Sequence, residues 1–293
     1  MPAILITGAD GQLGRAIQLQ VPQSPDWTFY LTDRPNLDIC NPAAVNAFFE
    51  AHRIDFCINA AGYTAVDRAE AEPELAAAVN RLGTQHLAGA CQQHKATLLH
   101  LSTDYVYHTP QNTPFEETDP VMPQSVYAQT KWEGEQAALR HCSRTFVVRT
   151  SWVYSPFGNN FLLTMLRLGR ERAQVRVVYD QVGTPTSAFD LADALVHMIQ
   201  RIHSGEVSAE AAAGIYNFSP EGVASWYDFA LAIFEKTGNP IEVVPIRTIQ
   251  YPTPALRPPF SLMSKEKIKT TFQLSIPHWR DGLDRCLARL EQP

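Results

Sequence analysis

The sequence has no run of basic residues, no Cys-x-x-Cys pair and no apolar stretch approaching a membrane span. Each absence removes a class of function. With 24 Lys and Arg against 30 Asp and Glu, the formal net charge is −6. Such a field repels phosphate backbones, so no nucleic acid is expected as a partner. The five cysteines, Cys40, Cys57, Cys91, Cys142 and Cys286, are odd in number and scattered, several of them through apolar patterns. They read as buried reduced thiols rather than a disulfide framework or a zinc site. A membrane helix needs about 20 apolar residues, and the apolar start Ala3-Ile-Leu-Ile6 is short and lacks the basic flank of a secretion signal. A cytoplasmic protein bound to no membrane is the expectation. Repeats and low-complexity segments are also missing, so 293 residues should form one large domain or two lobes.

What is present is a strand–turn–helix opening. Ala3-Ile-Leu-Ile6 is apolar throughout, as a central parallel strand covered on both faces must be. It runs into Thr7-Gly-Ala-Asp-Gly-Gln-Leu-Gly14 and then a helical pattern through Gln20. Glycines at 8, 11 and 14 permit a tight turn and let backbone N–H groups approach a pyrophosphate at the positive end of a helix. Thr28-Phe-Tyr-Leu-Thr32 reads as the second strand. Asp33 follows it, close to the ~20-residue spacing after the glycines at which an acidic side chain meets the adenosine ribose. Its carboxylate favours NADH by repelling a 2′-phosphate, whereas the adjacent Arg34 is able to hold one. The pair leaves NADPH or NADH open. Asp38-Ile39 begins a turn within reach of an adenine, and Asn41-Pro42 marks a helix start with Val45, Phe48 and Phe49 on its apolar face.

Asp55-Phe-Cys-Ile-Asn-Ala-Ala-Gly62 is the third expected strand, and its small terminal residues, Ala61 and Gly62 among them, leave room for a cofactor across the sheet. A loop over Tyr63–Asp67 and one long helix over Pro73–Lys95 should follow. Asn80, inside that helix, either faces the cofactor or pins the neighbouring loop. Strand–helix alternation through residue 100 predicts a doubly wound parallel α/β sheet. Thr97-Leu-Leu-His-Leu101 then ends in the hydroxyls of Ser102 and Thr103. Tyr127 and Lys131 are four residues apart, so they share a helical face one turn apart. A phenol with its usual pKa near ~10 is a weak acid, and a neighbouring ammonium makes its ionised form less costly. The pair suits proton transfer to or from a carbonyl, with Thr103 or Ser102 adding a hydrogen bond to the same oxygen. Alone, such a pair more often shares a solvated face; the glycine turn upstream gives it weight.

Together these pieces resemble the extended short-chain dehydrogenase/reductase family, and within it the dTDP-4-dehydrorhamnose reductases. The more specific strings are Asn59-Ala-Ala-Gly-Tyr-Thr-Ala-Val-Asp67, Ser102-Thr-Asp-Tyr-Val-Tyr107 and Arg149-Thr-Ser-Trp-Val-Tyr154. Gly158-Asn-Asn-Phe161, Asp180-Gln-Val-Gly-Thr-Pro-Thr186 and Tyr251-Pro-Thr-Pro-Ala-Leu-Arg-Pro258 extend the match to nearly the whole chain. The resemblance implies a Rossmann fold and an NAD(P)H-dependent oxidoreductase that reduces the C4 ketone of dTDP-4-dehydro-β-L-rhamnose to dTDP-β-L-rhamnose. It implies Tyr127 as proton donor, Lys131 as the group that lowers its pKa and holds the nicotinamide ribose, and Thr103 as a second hydrogen bond to the keto oxygen. Asp104 and Trp152 would line the sugar pocket, with Thr64 and Val66 near its floor. Gly11, Gln12 and Leu13 would cradle the pyrophosphate, Asp38 and Ile39 the adenine, and Gly62 and Tyr63 the middle of the cofactor. Two departures stand out. Where some members hold magnesium through glutamates at a dimer interface, this chain has Ala16 and Phe189, so no metal and at most a weak homodimer are expected. Where a Phe and glycines usually continue the Ser-Thr-Asp-Tyr-Val string, this chain has Tyr107-His-Thr-Pro110.

The division expected is a dinucleotide-binding domain over 1–154 and a substrate-binding lobe over 155–293, with some lobe segments packing back. Val175–Tyr179 reads as a strand. Ala188–Ile202 reads as an amphipathic helix with Phe189, Leu191, Leu195, Ile199 and Ile202 inward. Ser225 is a natural N-cap for a helix to Phe234, whose aromatic residues read as core, with Gly238 beyond its end. Pro252–Pro259 is too proline-rich for a helix. Arg257 within it suits a substrate diphosphate, since a guanidinium matches phosphate geometry. Two rival functions fit the same fold: a non-catalytic dinucleotide-binding regulatory subunit of the methionine adenosyltransferase type, and another nucleotide-sugar reductase or epimerase.

Overall fold

The structure, a computed structural model, describes residues 2–19 and 26–290. Gln20, where the first helical pattern ends in the sequence, lies outside them. Six strands make one parallel sheet in the order Gly214–Asn217, Thr145–Thr150, Thr97–Thr103, Phe56–Asn59, Ala3–Thr7 and Thr28–Thr32. From Ala3–Thr7 the chain moves to one side for its second strand and to the other for its third. The strand order therefore reverses there, and the carboxyl ends at such a reversal form the crevice where ligands bind in open α/β sheets.

Alternation along each strand splits the core between the two faces. Ile4, Ile6, Phe56 and Ile58 pack with Ala16, Ile17, Leu191 and Leu195 on one side. Leu5, Cys57 and Leu98 pack with Val45, Phe49, Leu87 and Cys91 on the other. Ala16 and Phe189 are both buried. The helix Pro42–Ala51 starts as its sequence indicates, with the Asn41 side chain accepting from the N–H groups of Ala43 and Ala44. Among the described residues no helix is long and apolar enough to cross a membrane.

Two local expectations change. The stretch from Pro73 is helical through His94, but its winding changes partway. It comprises Pro73–Ala77, a π-helical turn Ala78–Gly83 around Asn80, and Thr84–His94, closed by Lys95 in the left-handed conformation. Such turns insert a residue into a helix and are frequent at functional sites. The loop after Tyr63 is shorter than expected, because Val66–Ala69 is already helical. The central layer also draws on residues beyond 154. Strand Gly214–Asn217 pairs with Thr145–Thr150, and helix Ala188–His203 packs beneath the sheet with Phe189, Leu191, Leu195 and Ile199 buried. A smaller second layer remains over the sheet's carboxyl edge. It holds the parallel pair Gln174–Val178 and Glu242–Ile246 and the helices Phe161–Glu171 and Trp226–Lys236. Ser225 caps the latter in a full capping box with Asp228.

Candidate active site

One cavity of about 1740 Å³ runs along the carboxyl edge of the sheet into the second layer. Pockets for drug-sized ligands measure about 300–1,000 Å³, so this volume has room for a dinucleotide and a second ligand. Gly8, Gly11, Gln12, Leu13, Asp33, Asp38, Ile39, Ala61, Gly62 and Tyr63 line it. Thr64, Val66, Thr103, Asp104, Trp152 and Arg257 do so too, with Tyr127 and Lys131 also on the wall. Gly14 is the exception. A Cβ there would lie 2.4 Å from the Gly8 carbonyl oxygen, so this glycine lets the helix Gln12–Gln18 close onto the turn and does not itself reach the cavity.

The glycine turn fits a dinucleotide by what it leaves out. Gly8 has φ +71°, and a side chain there would meet the backbone of Ala61 at 2.7 Å. Gly11 precedes the helix and supplies no side-chain cap, so the first-turn N–H groups keep their capacity for an anion. Gln12 contributes backbone alone at that point. Its side-chain oxygen accepts from the Ser155 hydroxyl at 3.0 Å and the Asn160 amide at 2.9 Å, which ties the turn to the second layer. The Asp33 carboxylate accepts the Asp10 backbone N–H at 2.5 Å. Partial burial pushes its pKa up, against the pull of that hydrogen bond. Arg34 points into solvent, paired with Asp38 at 3.4 Å.

Tyr127 and Lys131 stand on the helix Val126–His141, which Ser125 caps by accepting from the Ala128 N–H at 3.2 Å. Lys131 is buried beneath the cavity and its Nζ donates to the Leu101 carbonyl at 2.5 Å. Burial pulls its pKa down to about 8, with Glu135 one turn further on opposing the shift. Burial pushes the Tyr127 phenol up to about 12, opposed by its hydrogen bond to the Thr103 hydroxyl. Thr103 also donates to Asp104 at 3.2 Å. Burial raises Asp104 to about 7, with the hydroxyls of Ser261 and Thr103 pulling the other way.

Asn80 resolves to one of its two alternatives: it pins the loop. Its side-chain oxygen accepts the Tyr63 N–H at 2.8 Å, and its amide donates to the Tyr63 carbonyl at 3.2 Å and the Thr130 hydroxyl at 3.1 Å. Thr130 in turn donates to the Tyr127 carbonyl at 3.1 Å. One buried amide thus couples the cofactor-side loop to the helix that carries the phenol.

Four further features escaped the sequence reading. Glu135, fully buried, accepts from Ser102 and is gripped by Arg149, whose NH2 lies 2.7 Å from Oε2. The i+4 spacing from Lys131 was the available signal. Tyr107, where a Phe was usual, uses its hydroxyl to accept from Arg149 at 2.7 Å and to donate to Asn217 at 3.0 Å. Arg257 is not free, because its guanidinium forms a two-pronged pair with Asp67 at 2.7 and 3.1 Å. Trp226, read as core, is only half-buried, lines the cavity and stacks on Trp152.

The family model for the RmlD substrate binding domain matches residues 1–292. The chain is 39% identical to the dTDP-4-dehydrorhamnose reductase of Aggregatibacter actinomycetemcomitans, over 99% of this chain and 100% of that protein. A crystal structure of a dTDP-4-dehydrorhamnose reductase from Clostridium acetobutylicum superposes with a TM-score of 0.92 at 38% identity, covering 99% of this chain and 100% of that one. The Bacillus anthracis reductase, solved in complex with NADP, gives the same TM-score at 34% identity and the same coverage. With a glycine turn between strand and helix, a Tyr–Lys helix and full-length similarity in one molecule, the chain belongs to the dTDP-4-dehydrorhamnose reductase family of NAD(P)H-dependent oxidoreductases.

Proposed function

We propose that the protein reduces the C4 ketone of dTDP-4-dehydro-β-L-rhamnose to the alcohol of dTDP-β-L-rhamnose, using NADPH or NADH. The observation that carries this is the convergence of Thr103, Tyr127 and Lys131 on one wall of a cavity large enough for both ligands. The nicotinamide, when bound, supplies the hydride. The remaining requirement is a proton for the developing alkoxide. A phenol near pKa 12 stays protonated at neutral pH, so Tyr127 is in the donor form. Its Oη–H bond breaks toward the substrate oxygen while the Thr103 hydroxyl donates a second hydrogen bond to the same atom. The phenolate left behind is stabilised by the Lys131 ammonium, which a pKa of about 8 keeps charged at neutral pH. Solvent then restores the proton.

Around this centre, Trp152, Asp104, Thr64 and Val66 form the sugar end, and Arg257 takes the diphosphate by exchanging Asp67 for it. Asp33 and the exposed charge of Arg34 set the balance between NADH and NADPH. The intact hydroxyl, phenol and ammonium set favours an enzyme over a non-catalytic regulatory subunit. The test is to supply dTDP-4-dehydrorhamnose and follow oxidation of NADPH and of NADH, with product identification. Tyr127→Phe should lower kcat by about 10²–10⁴ while cofactor affinity is unchanged. Full activity in that variant would remove Tyr127 as donor. No oxidation by the native protein, despite cofactor binding, would point to another sugar or to the regulatory reading.

A further inference from the structure

Trp152 sits where the strand Thr145–Thr150 gives way to the short strand Val153–Tyr154, and its φ of +46° is unusual for any residue with a side chain. A bulky residue keeps that conformation only where its surroundings hold it there. The backbone on either side is fastened: the Ser151 hydroxyl donates to the Thr184 carbonyl at 2.7 Å, and the Thr186 N–H donates to the Trp152 carbonyl at 3.2 Å. The indole itself is clamped. Trp226 lies against it with ring centroids 3.7 Å apart and planes within 10° of parallel. On another side is Gly183, where a Cβ would approach the Trp152 ring to 3.1 Å.

The two jaws of the clamp come from one structure. Gly183 and Ala224 are register partners in a small antiparallel ladder, and Ser225 at its end caps the helix whose first residue is Trp226. Trp226 is itself fixed in rotation, because its indole N–H donates to the Gln181 side chain at 3.1 Å. Gln181 donates onward to the Thr248 hydroxyl at 3.2 Å.

We propose that Trp226 is a positioning residue for sugar recognition, holding the Trp152 indole as a rigid wall of the sugar pocket. This rests on the reading of Trp152 as part of that pocket. Trp226 need not touch the sugar. It supplies the flat face and the anchored N–H that keep Trp152 in a conformation the backbone would otherwise leave.

The test uses the full chain with Trp152→Ala, Trp226→Leu and Trp226→Phe. The stacked indoles should give an exciton couplet in circular dichroism of the native protein, lost in all three variants. Trp226→Leu should raise KM for the nucleotide sugar roughly 3- to 10-fold, the range a lost aromatic pair corresponds to. Its kcat and cofactor dissociation constant should move much less, and Trp226→Phe should recover most of the KM. If Trp226→Leu fails to fold, Gln181→Met, which removes the acceptor of the indole N–H together with the donor to the Thr248 hydroxyl, is read for the same KM rise. A raised KM in Trp152→Ala with an unchanged KM in Trp226→Leu overturns the inference alone. An unchanged KM in Trp152→Ala overturns the placement of Trp152, and the inference with it. Equal losses in kcat, KM and cofactor affinity would reduce Trp226 to a packing residue.

Discussion

Arg149→Met should be among the most damaging single substitutions that touch neither ligand. Arg149 and Glu135 are 2% and 0% exposed. The guanidinium meets Oε1 at 3.0 Å and Oε2 at 2.7 Å, donates to the Tyr107 hydroxyl at 2.7 Å and lies 4.8 Å from the centre of that ring. Removing it leaves a carboxylate under the sheet with the Ser102 hydroxyl as its remaining hydrogen bond and the Lys131 ammonium, one turn back, as the nearby positive charge. Breaking a buried pair from one side costs about 3–5 kcal/mol, a large share of the ~5–15 kcal/mol by which domains are stable. Removing both charges, as Glu135→Leu with Arg149→Met, avoids the bare carboxylate. What remains is the loss of partners for Tyr107 and Ser102, at about 1 kcal/mol each. The double variant should therefore be more stable than Arg149→Met alone. Urea denaturation of the four proteins in a double-mutant cycle measures this. A loss below about 1 kcal/mol in Arg149→Met, or a double variant as unstable as the sum of the singles, would refute the reasoning. Because Glu135 is one turn beyond Lys131 on the helix that carries Tyr127, kcat should fall in the single variant under conditions where it is still folded.

On the proposed mechanism, Lys131 should set the alkaline limit of activity. With its folded pKa near 8 and Tyr127 near 12, kcat/KM should fall as pH rises through about 8, as the ammonium is lost. In Lys131→Arg that limb should disappear from the measurable range, at reduced rate; an unmoved limb would assign it elsewhere. The stability sign is the reverse. The folded pKa lies below the usual 10.5, so between about 8 and 10.5 the unfolded chain binds more protons and the penalty of burying Lys131 fades as pH rises. Any stability gained by Lys131→Met should be greatest below pH 8 and decline above it, which chemical denaturation across pH will show. Gly134→Ala would place a Cβ 2.2 Å from the Asn80 carbonyl oxygen, forcing the catalytic helix from the π-helical turn. Overpacking of this kind costs about 1–3 kcal/mol, so Tm and kcat should both drop. An unchanged melting curve and rate would show that the two helices have slack.

Local pattern was enough for the parts of this protein whose chemistry is local. An apolar strand ending in a glycine turn announces a phosphate-binding crevice, because the strand must be buried and the turn must lack side chains. Tyr127 and Lys131 mark a candidate proton-transfer pair, because helix geometry puts them one turn apart and the glycine turn upstream gives that spacing weight. Periodicity fixes which face a residue takes but not which residue, tens or hundreds of positions away, meets it there. Asn80 was legible as an anomalous amide, yet only packing decided that it binds Tyr63 and Thr130. The arginine of the proline-rich loop was legible as a cation, and only the fold brought it to Asp67, from across the chain. Gln12 turned its side chain toward Ser155 and Asn160, Gly14 became a packing contact, and Trp226 became a cavity wall. Local pattern suffices for the first strands of the sheet, the turn and the spacing of the Tyr–Lys pair, since backbone hydrogen bonding and side-chain period act within a few residues. The tertiary structure decided the Arg149–Glu135 pair, the Trp152 clamp and the return of strand Gly214–Asn217 to the sheet, since burial rewards whichever distant partners satisfy charge, shape and hydrogen bonding together.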